Sequence, residues 1–182
     1  MKALQTTTLT VLTCCVLCTP QILRAHTESV EDASSVKFET SCSAEVSGDF
    51  NKAVALLHNM TYHLAEERFK EILERDPGCG MAYWGVAMSY IHPLWFEDVG
   101  DELMSRGSDL LAHARQSELT KRESDYVAAL EAFYQLKGAP LFERLDAYAE
   151  GFAKVYSDYP DDIEAHAFFA LTHLINQRPG TL

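Results

Sequence analysis

Basic residues are scarce in this chain: 15 lysines and arginines stand against 27 acids in 182 residues, a formal net charge of -12. A chain this acidic is repelled by phosphate backbones, and no cluster of Lys and Arg offsets the repulsion, so no nucleic-acid partner is expected. Long apolar runs are also missing; a stable membrane span needs about 20 strongly apolar residues, and none is found. No segment alternates apolar and polar residues as a half-buried strand does, which excludes a β fold. Gly-x-Ser-x-Gly is absent, and no Ser, His and Asp arrangement suggests a catalytic triad, so no catalytic residue is assigned. Cysteine is sparse: there are five in all, and three of them, Cys14, Cys15 and Cys18, fall in the first 25 residues.

Those 25 residues have the profile of a signal peptide. They open on Met1 and Lys2, run through an apolar and threonine-rich stretch from Ala3 to Cys18, and reach Pro20 and Leu23-Arg24-Ala25 without one acid. Cleavage would leave an exported protein, periplasmic or extracellular. A lipid anchor at Cys14 is less favoured, because Thr13 is a poor residue before a lipidated cysteine. Removing Lys2 and Arg24 would leave 13 bases against 27 acids, a net charge of -14. Charge then favours cationic ligands, basic peptides or metal ions, although solubility alone is a simpler account.

Cys42 and Cys79 are the pair that remains. An even pair in an exported chain suggests a disulfide. Cys42 precedes the first expected helix and Cys79 follows the second, and antiparallel neighbours place those two ends side by side. Two buried free thiols are the alternative.

Beyond a leader at 26–42 with no apolar period, helical spacing takes over. Val46, Phe50, Ala53, Val54 and Leu57 mark a helix over about 44–59, with Ser43 as its cap. A second spans about 62–75, with Ala65, Phe69, Ile72 and Leu73 inward, and stops at Asp76-Pro77-Gly78. The stretch 80–91 is apolar on nearly every side, which predicts a central buried helix ended by His92-Pro93. A peripheral helix over about 101–115 carries Leu103, Met104, Leu110, Leu111 and Ala114. Thr120-x-x-Glu123 is a capping box that opens a helix to about 136, with Tyr126, Leu130, Phe133 and Tyr134 inward. The next spans about 141–157 with Leu145, Tyr148, Phe152 and Val155 inward. Asp161-x-x-Glu164 caps a last helix, 163–176, carrying Ala167, Phe168, Ala170, Leu171 and Leu174, and 177–182 is a tail.

Phe69 stands eight residues before Pro77, and Phe152 eight before Pro160. Ala65, Phe69 and Pro77 resemble the second helix and turn of the tetratricopeptide repeat. Residues 92–119 depart from its regular length. Ser41-Cys42-Ser43, Ala55-Leu56-Leu57-His58, the run Asp76-Pro77-Gly78-Cys79-Gly80-Met81-Ala82-Tyr83-Trp84-Gly85 and His92-Pro93-Leu94-Trp95 are similar to a family of exported tetratricopeptide-like proteins. Arg122-Glu123 and the run from Tyr159 to Ala165 extend the likeness over nearly all of 40–176. Members are mostly uncharacterised and usually longer, with His-rich helices further on. The resemblance implies an all-α fold, about seven helices in antiparallel pairs stacked as a right-handed solenoid over 43–176, together with export. It implies no activity, and it makes this chain a fragment or a short member.

The expected function is a module that binds a protein or peptide partner in a groove, with His58, Trp84, His92 and Trp95 as candidate groove residues and no cofactor. The alternatives are a metal-binding or enzyme-associated domain using His58 and His92, or an N-terminal cap of a longer repeat array. His58 and His63 flank a turn rather than share a face at i and i+4, so no metal set is assigned. His166 and His173 share a helix face as polar rim residues. Asn59-Met60-Thr61 satisfies the glycosylation sequon.

Overall fold

The computed structural model describes residues 36–175, so the signal segment at 1–25, most of the leader at 26–42 and the tail at 177–182 lie outside the described residues. Within the described residues there are seven α-helices, one 3-10 turn and no strand. They are α1 Ser47–His58, α2 Tyr62–Arg75, α3 Gly80–Met88, the 3-10 turn Pro93–Trp95, α4 Gly100–Gln116, α5 Lys121–Tyr134, α6 Leu141–Asp158 and α7 Ile163–Ile175. Each helix packs on the next in sequence, α3 also meets α1 and α5, and α7 returns to touch the 3-10 turn.

Helix α3 is the centre, as its all-round apolar character predicts. Gly80, Met81, Ala82, Trp84, Gly85, Val86, Ala87 and Met88 are buried, and only Tyr83 is partly open. Its last carbonyls need partners in a dry interior. The Ser89 hydroxyl donates to Gly85 O at 2.8 Å, and the buried Tyr134 hydroxyl donates to Ala87 O at 2.6 Å. Tyr90 and Ile91 bond three residues back instead of four, so the helix tightens and stops at Met88, short of the expected Ile91. Helix α4 lays Met104, Leu111 and Ala114 on the core and leaves Leu103 and Leu110 half-buried, as a covering helix should.

Local signals hold where side chains have no competing partner. Both bonds of the Thr120 capping box form: Glu123 N–H donates to Thr120 Oγ1 at 3.2 Å, and Thr120 N–H donates to Glu123 Oε2 at 2.7 Å. Ser43, by contrast, does not cap α1. The helix starts at Ser47 after a turn, and Ser43 N–H is drawn instead to Asp76 Oδ2 at 2.8 Å. The Cys42–Cys79 disulfide, Cα to Cα 4.6 Å, holds the same segment on the α2–α3 turn. At the last helix the capping acid is Asp162, whose Oδ1 accepts from Glu164 N–H at 3.1 Å, and not Asp161.

Of the apolar residues that α7 carries, only some turn inward. Ala165, Phe168, Thr172 and Ile175 are buried, whereas Ala170 and Leu174 are exposed and Ala167 and Leu171 only half-covered. Its polar residues, Glu164, His166, Thr172 and His173, are spread around the helix, so its sequence does not fix its rotation. Phe168 fixes it, because this ring enters the space between Trp84 at 5.6 Å, Phe152 at 5.3 Å and His58 at 5.0 Å.

Two glycines in helices behave oppositely. A Cβ on Gly151 of α6 would lie 2.7 Å from Ala129 Cα of α5, so the two backbones cross where only glycine fits. Gly48 has nothing within 4 Å of that position and no such use. Gly151→Ala should therefore destabilise the protein by about 1–3 kcal/mol, and Gly48→Ala should stabilise it by up to about 1 kcal/mol, both read by urea unfolding. Non-reducing peptide mass spectrometry should find Cys42 linked to Cys79. Breaking that 37-residue closure with Cys42→Ser should cost about 4 kcal/mol in the same assay.

Candidate functional site

The N-terminal segment 36–42 covers the face of the core that holds Phe50, Trp84 and Tyr126. Phe38 lies against Phe50, Trp84 and Tyr126 with ring centroids 5.1–5.7 Å apart, and its N–H donates to Asn51 Oδ1 at 2.9 Å. Ser41 N–H donates to Oε1 of the buried Glu123 at 2.6 Å. Trp84 beneath is 0% exposed. It is a core residue and lines no groove, which corrects its place among the candidates: Phe38 and Phe168 cover both sides of the indole.

The other three candidates gather elsewhere. A groove of about 360 Å³ opens between the α1–α2 turn, the end of α3, the 3-10 turn and α7. Leu57, Met88, Ile91 and Phe168 form its floor, Met60, Tyr62 and Pro93 one wall, and Ala167, Ala170, Leu171 and Leu174 the other. His58 lines it as well. Just outside, His92 stacks on Tyr62 at 4.5 Å, and Trp95, 53% exposed, meets the same ring edge-on at 6.0 Å. Burial pushes the Tyr62 phenol up to about 12, so it stays a neutral, largely apolar wall at any ordinary pH.

Each histidine here has its own carboxylate. His58 Nε2 meets Glu164 Oε2 at 2.6 Å, tying α1 to α7, while His92 Nδ1 meets Glu97 Oε2 at 2.8 Å. Among the described residues no hydroxyl or thiol bonds to either ring, so neither pair has the nucleophile that acyl transfer needs. The two rings do not share a metal position with a third ligand. The one close group of ligand-type side chains among the described residues is Cys42, Asp76 and Cys79, and its sulfurs are spent in the disulfide. His63 pairs with Glu67 on the outer face of α2. His166 and His173 are exposed, His166 beside Tyr156 and His173 beside Phe169.

Met60 gives the groove a feature that sequence spacing did not reveal. Thr61 N–H bonds Leu56 O and Met60 N–H bonds Leu57 O, both at 2.9 Å, the paired bonds of a Schellman helix end. Met60 therefore sits where glycine is usual, with φ at 58°. A methionine held in this left-handed conformation costs about 1 kcal/mol or more. Its side chain, 37% exposed, forms the lip of the groove. Asn59 is also exposed on this turn, as an acceptor for glycosylation has to be.

Beside the first turn of α7 is a second, polar cleft of about 500 Å³, lined by Lys37, Glu39, Arg122 and the acids of the α6–α7 turn. Arg122 Nε donates to Asp162 Oδ2 at 2.6 Å, its Nη1 to Glu39 O at 3.0 Å, and its guanidinium lies over Phe38 and Tyr126. Burial alone would raise the Asp162 carboxyl, but the bonds from Arg122 and from the Tyr126 hydroxyl outweigh it and hold the group below 3.8. Behind the groove, buried Arg144 donates to Asp98 at 2.8 Å and so anchors the loop that follows Trp95.

A carboxylate with a lowered folded pKa contributes stability above its unfolded pKa and loses it as pH falls through the folded value. Stability should therefore decline below about pH 4. Asp162→Asn should lower stability at pH 6 and flatten the acid limb, as measured by urea midpoints at pH 6 and pH 3. Among the described residues no helix is long and apolar enough to cross a membrane. Comparisons with family models, with curated proteins and with solved structures returned no match.

Proposed function

We propose that this chain is an exported, tetratricopeptide-like interaction module that takes an apolar segment of a protein or peptide partner into the groove beside α7, without catalysis of its own. The open apolar groove between the α1–α2 turn and α7 carries this assignment. A helix normally buries its apolar side, and α7 instead presents Ala170 and Leu174 to solvent among the described residues. Met60 strengthens the case, since a strained non-glycine residue that supplies an apolar lip is explained by what the side chain touches rather than by the fold. The sequential packing of seven helices, with α3 against both α1 and α5, supports stacked antiparallel pairs. The disulfide is in keeping with an oxidising compartment outside the cytosol.

A cap of a longer repeat array is the second reading, and the same outer row on α7 favours it, because a following repeat would cover that row. A metal site built on His58 and His92 has no comparable support, given their separate carboxylate partners.

The test uses a neutral 14-residue amphipathic helical peptide with one leucine row, titrated into the full chain and followed by anisotropy. Leu174→Asp should abolish binding without loss of helical circular dichroism. Met60→Gly should raise stability by about 1 kcal/mol yet weaken the peptide. Binding that is indifferent to both substitutions would remove the groove from consideration.

A further inference from the structure

We infer that the occupant of this groove is an amphipathic helix with lysine or arginine at the end that overlies the first turn of α7; the inference rests on the groove assignment above and adds the partner's chemistry. The first observation is spacing. Ile163, Ala167, Ala170 and Leu174 stand at i, i+4, i+7 and i+11 on α7, a continuous apolar row that is 80% exposed at Ile163 and 55% at Leu174. That row is the seam by which one helix receives another. Eleven residues of helix rise about 16 Å, so a partner of three turns covers it. Alanines at its middle permit close approach, and the facing wall of Met60, Tyr62 and Pro93 bounds the other side. An extended peptide would leave its backbone groups unpaired against these apolar walls, whereas a helix pairs its own.

The second observation is charge. The row does not end in neutral surface. Ile163 also lines the polar cleft, where Glu39, Asp158, Asp161, Asp162 and Glu164 face Lys37 and Arg122. Arg122 is spent on Asp162, Asp158 on Lys154 and Glu164 on His58. Among the described residues Glu39 and Asp161 have no ion pair and remain exposed, two acids against the one unpaired base, Lys37, in the cleft that Ile163 also lines. An acidic terminus there would be repelled and a basic one attracted. The helix dipole adds direction: a basic residue is best tolerated in the last turn of its own helix, so the partner's C-terminal end overlies the cleft and the partner runs antiparallel to α7.

The experiment compares three peptides of the same leucine row, ending at the C-terminal turn in three lysines, three glutamines or three glutamates, each titrated into the full chain at low and high salt. The lysine form should bind about fivefold tighter than the glutamine form and the glutamate form weaker still, with the differences shrinking at high salt. Glu39→Gln combined with Asp161→Asn should erase the lysine advantage and leave the glutamine peptide unchanged, while Leu174→Asp should abolish all three. Equal binding of the three peptides, still lost in Leu174→Asp, overturns the basic end and leaves the groove assignment standing. A lysine advantage that survives the double substitution places the charge contact elsewhere and also overturns the inference. No binding by any of them overturns both.

Discussion

Everything in this fold is arranged around the indole of Trp84. It lies on the central helix at 0% exposure, and rings from four other parts of the chain reach toward it or its immediate neighbours: Phe38 from the N-terminal segment, Phe50 from α1, Tyr126 from α5 and Phe168 from α7. Most of the pairs meet tilted or edge-on, the arrangement aromatic quadrupoles prefer. Burying one such side chain is worth about 1.5–3 kcal/mol, so the cluster is a large part of the net stability of a domain this size. It also fixes geometry, since Phe168 can occupy its place only if α7 presents one face inward, and Phe38 only if the N-terminal segment crosses α1, α3 and α5.

Polar contacts then hold the pieces that the cluster positions. The disulfide and the bonds from Ser41 to Glu123 and from Ser43 to Asp76 lock the segment before α1 to the α2–α3 turn and to α5. Arg122 does the equivalent work at the other side, joining Glu39, Tyr126 and Asp162. The bonds from Ser41 to Glu123 and from Arg122 to Asp162 are charge-assisted and partly buried, and so stronger than the many i, i+4 pairs on the outer faces. His58 with Glu164 closes the ring of contacts by tying the end of α1 to the start of α7. The groove exists because these ties hold α7 next to the α1–α2 turn without letting its outer row reach the core.

Much of this was legible in the sequence. The helix limits of α2, α5 and α6 fall within two residues of those expected, because Pro77, Thr120, Gly138 and Pro160 are breakers and caps that act locally. The pairing of Cys42 with Cys79 followed from the ends of two antiparallel helices. Of the residues expected in the groove, His58 lines it, while His92 and Trp95 pack on Tyr62 just outside. Trp84 was the exception: the all-round apolar character of α3 already pointed to its burial, and a place in the groove ran against that signal. Met60 was invisible for another reason, since nothing in the spacing signals that a methionine occupies a left-handed helix end.

The amino-acid sequence by itself determined the helical class, the order and approximate bounds of the seven helices among the described residues, and the cysteine pair. These depend on periodicity, capping and chain breaks, which act over a few residues. Only the tertiary structure decided the rotation of α7, the burial of Trp84 beneath Phe38, and the groove that results. Helix α3 is apolar on nearly every side, and the polar residues of α7, Glu164, His166, Thr172 and His173, are spread around it, so no single polar face sets their phase. Which side turns inward is settled by what packs against them, and that is a property of the whole chain.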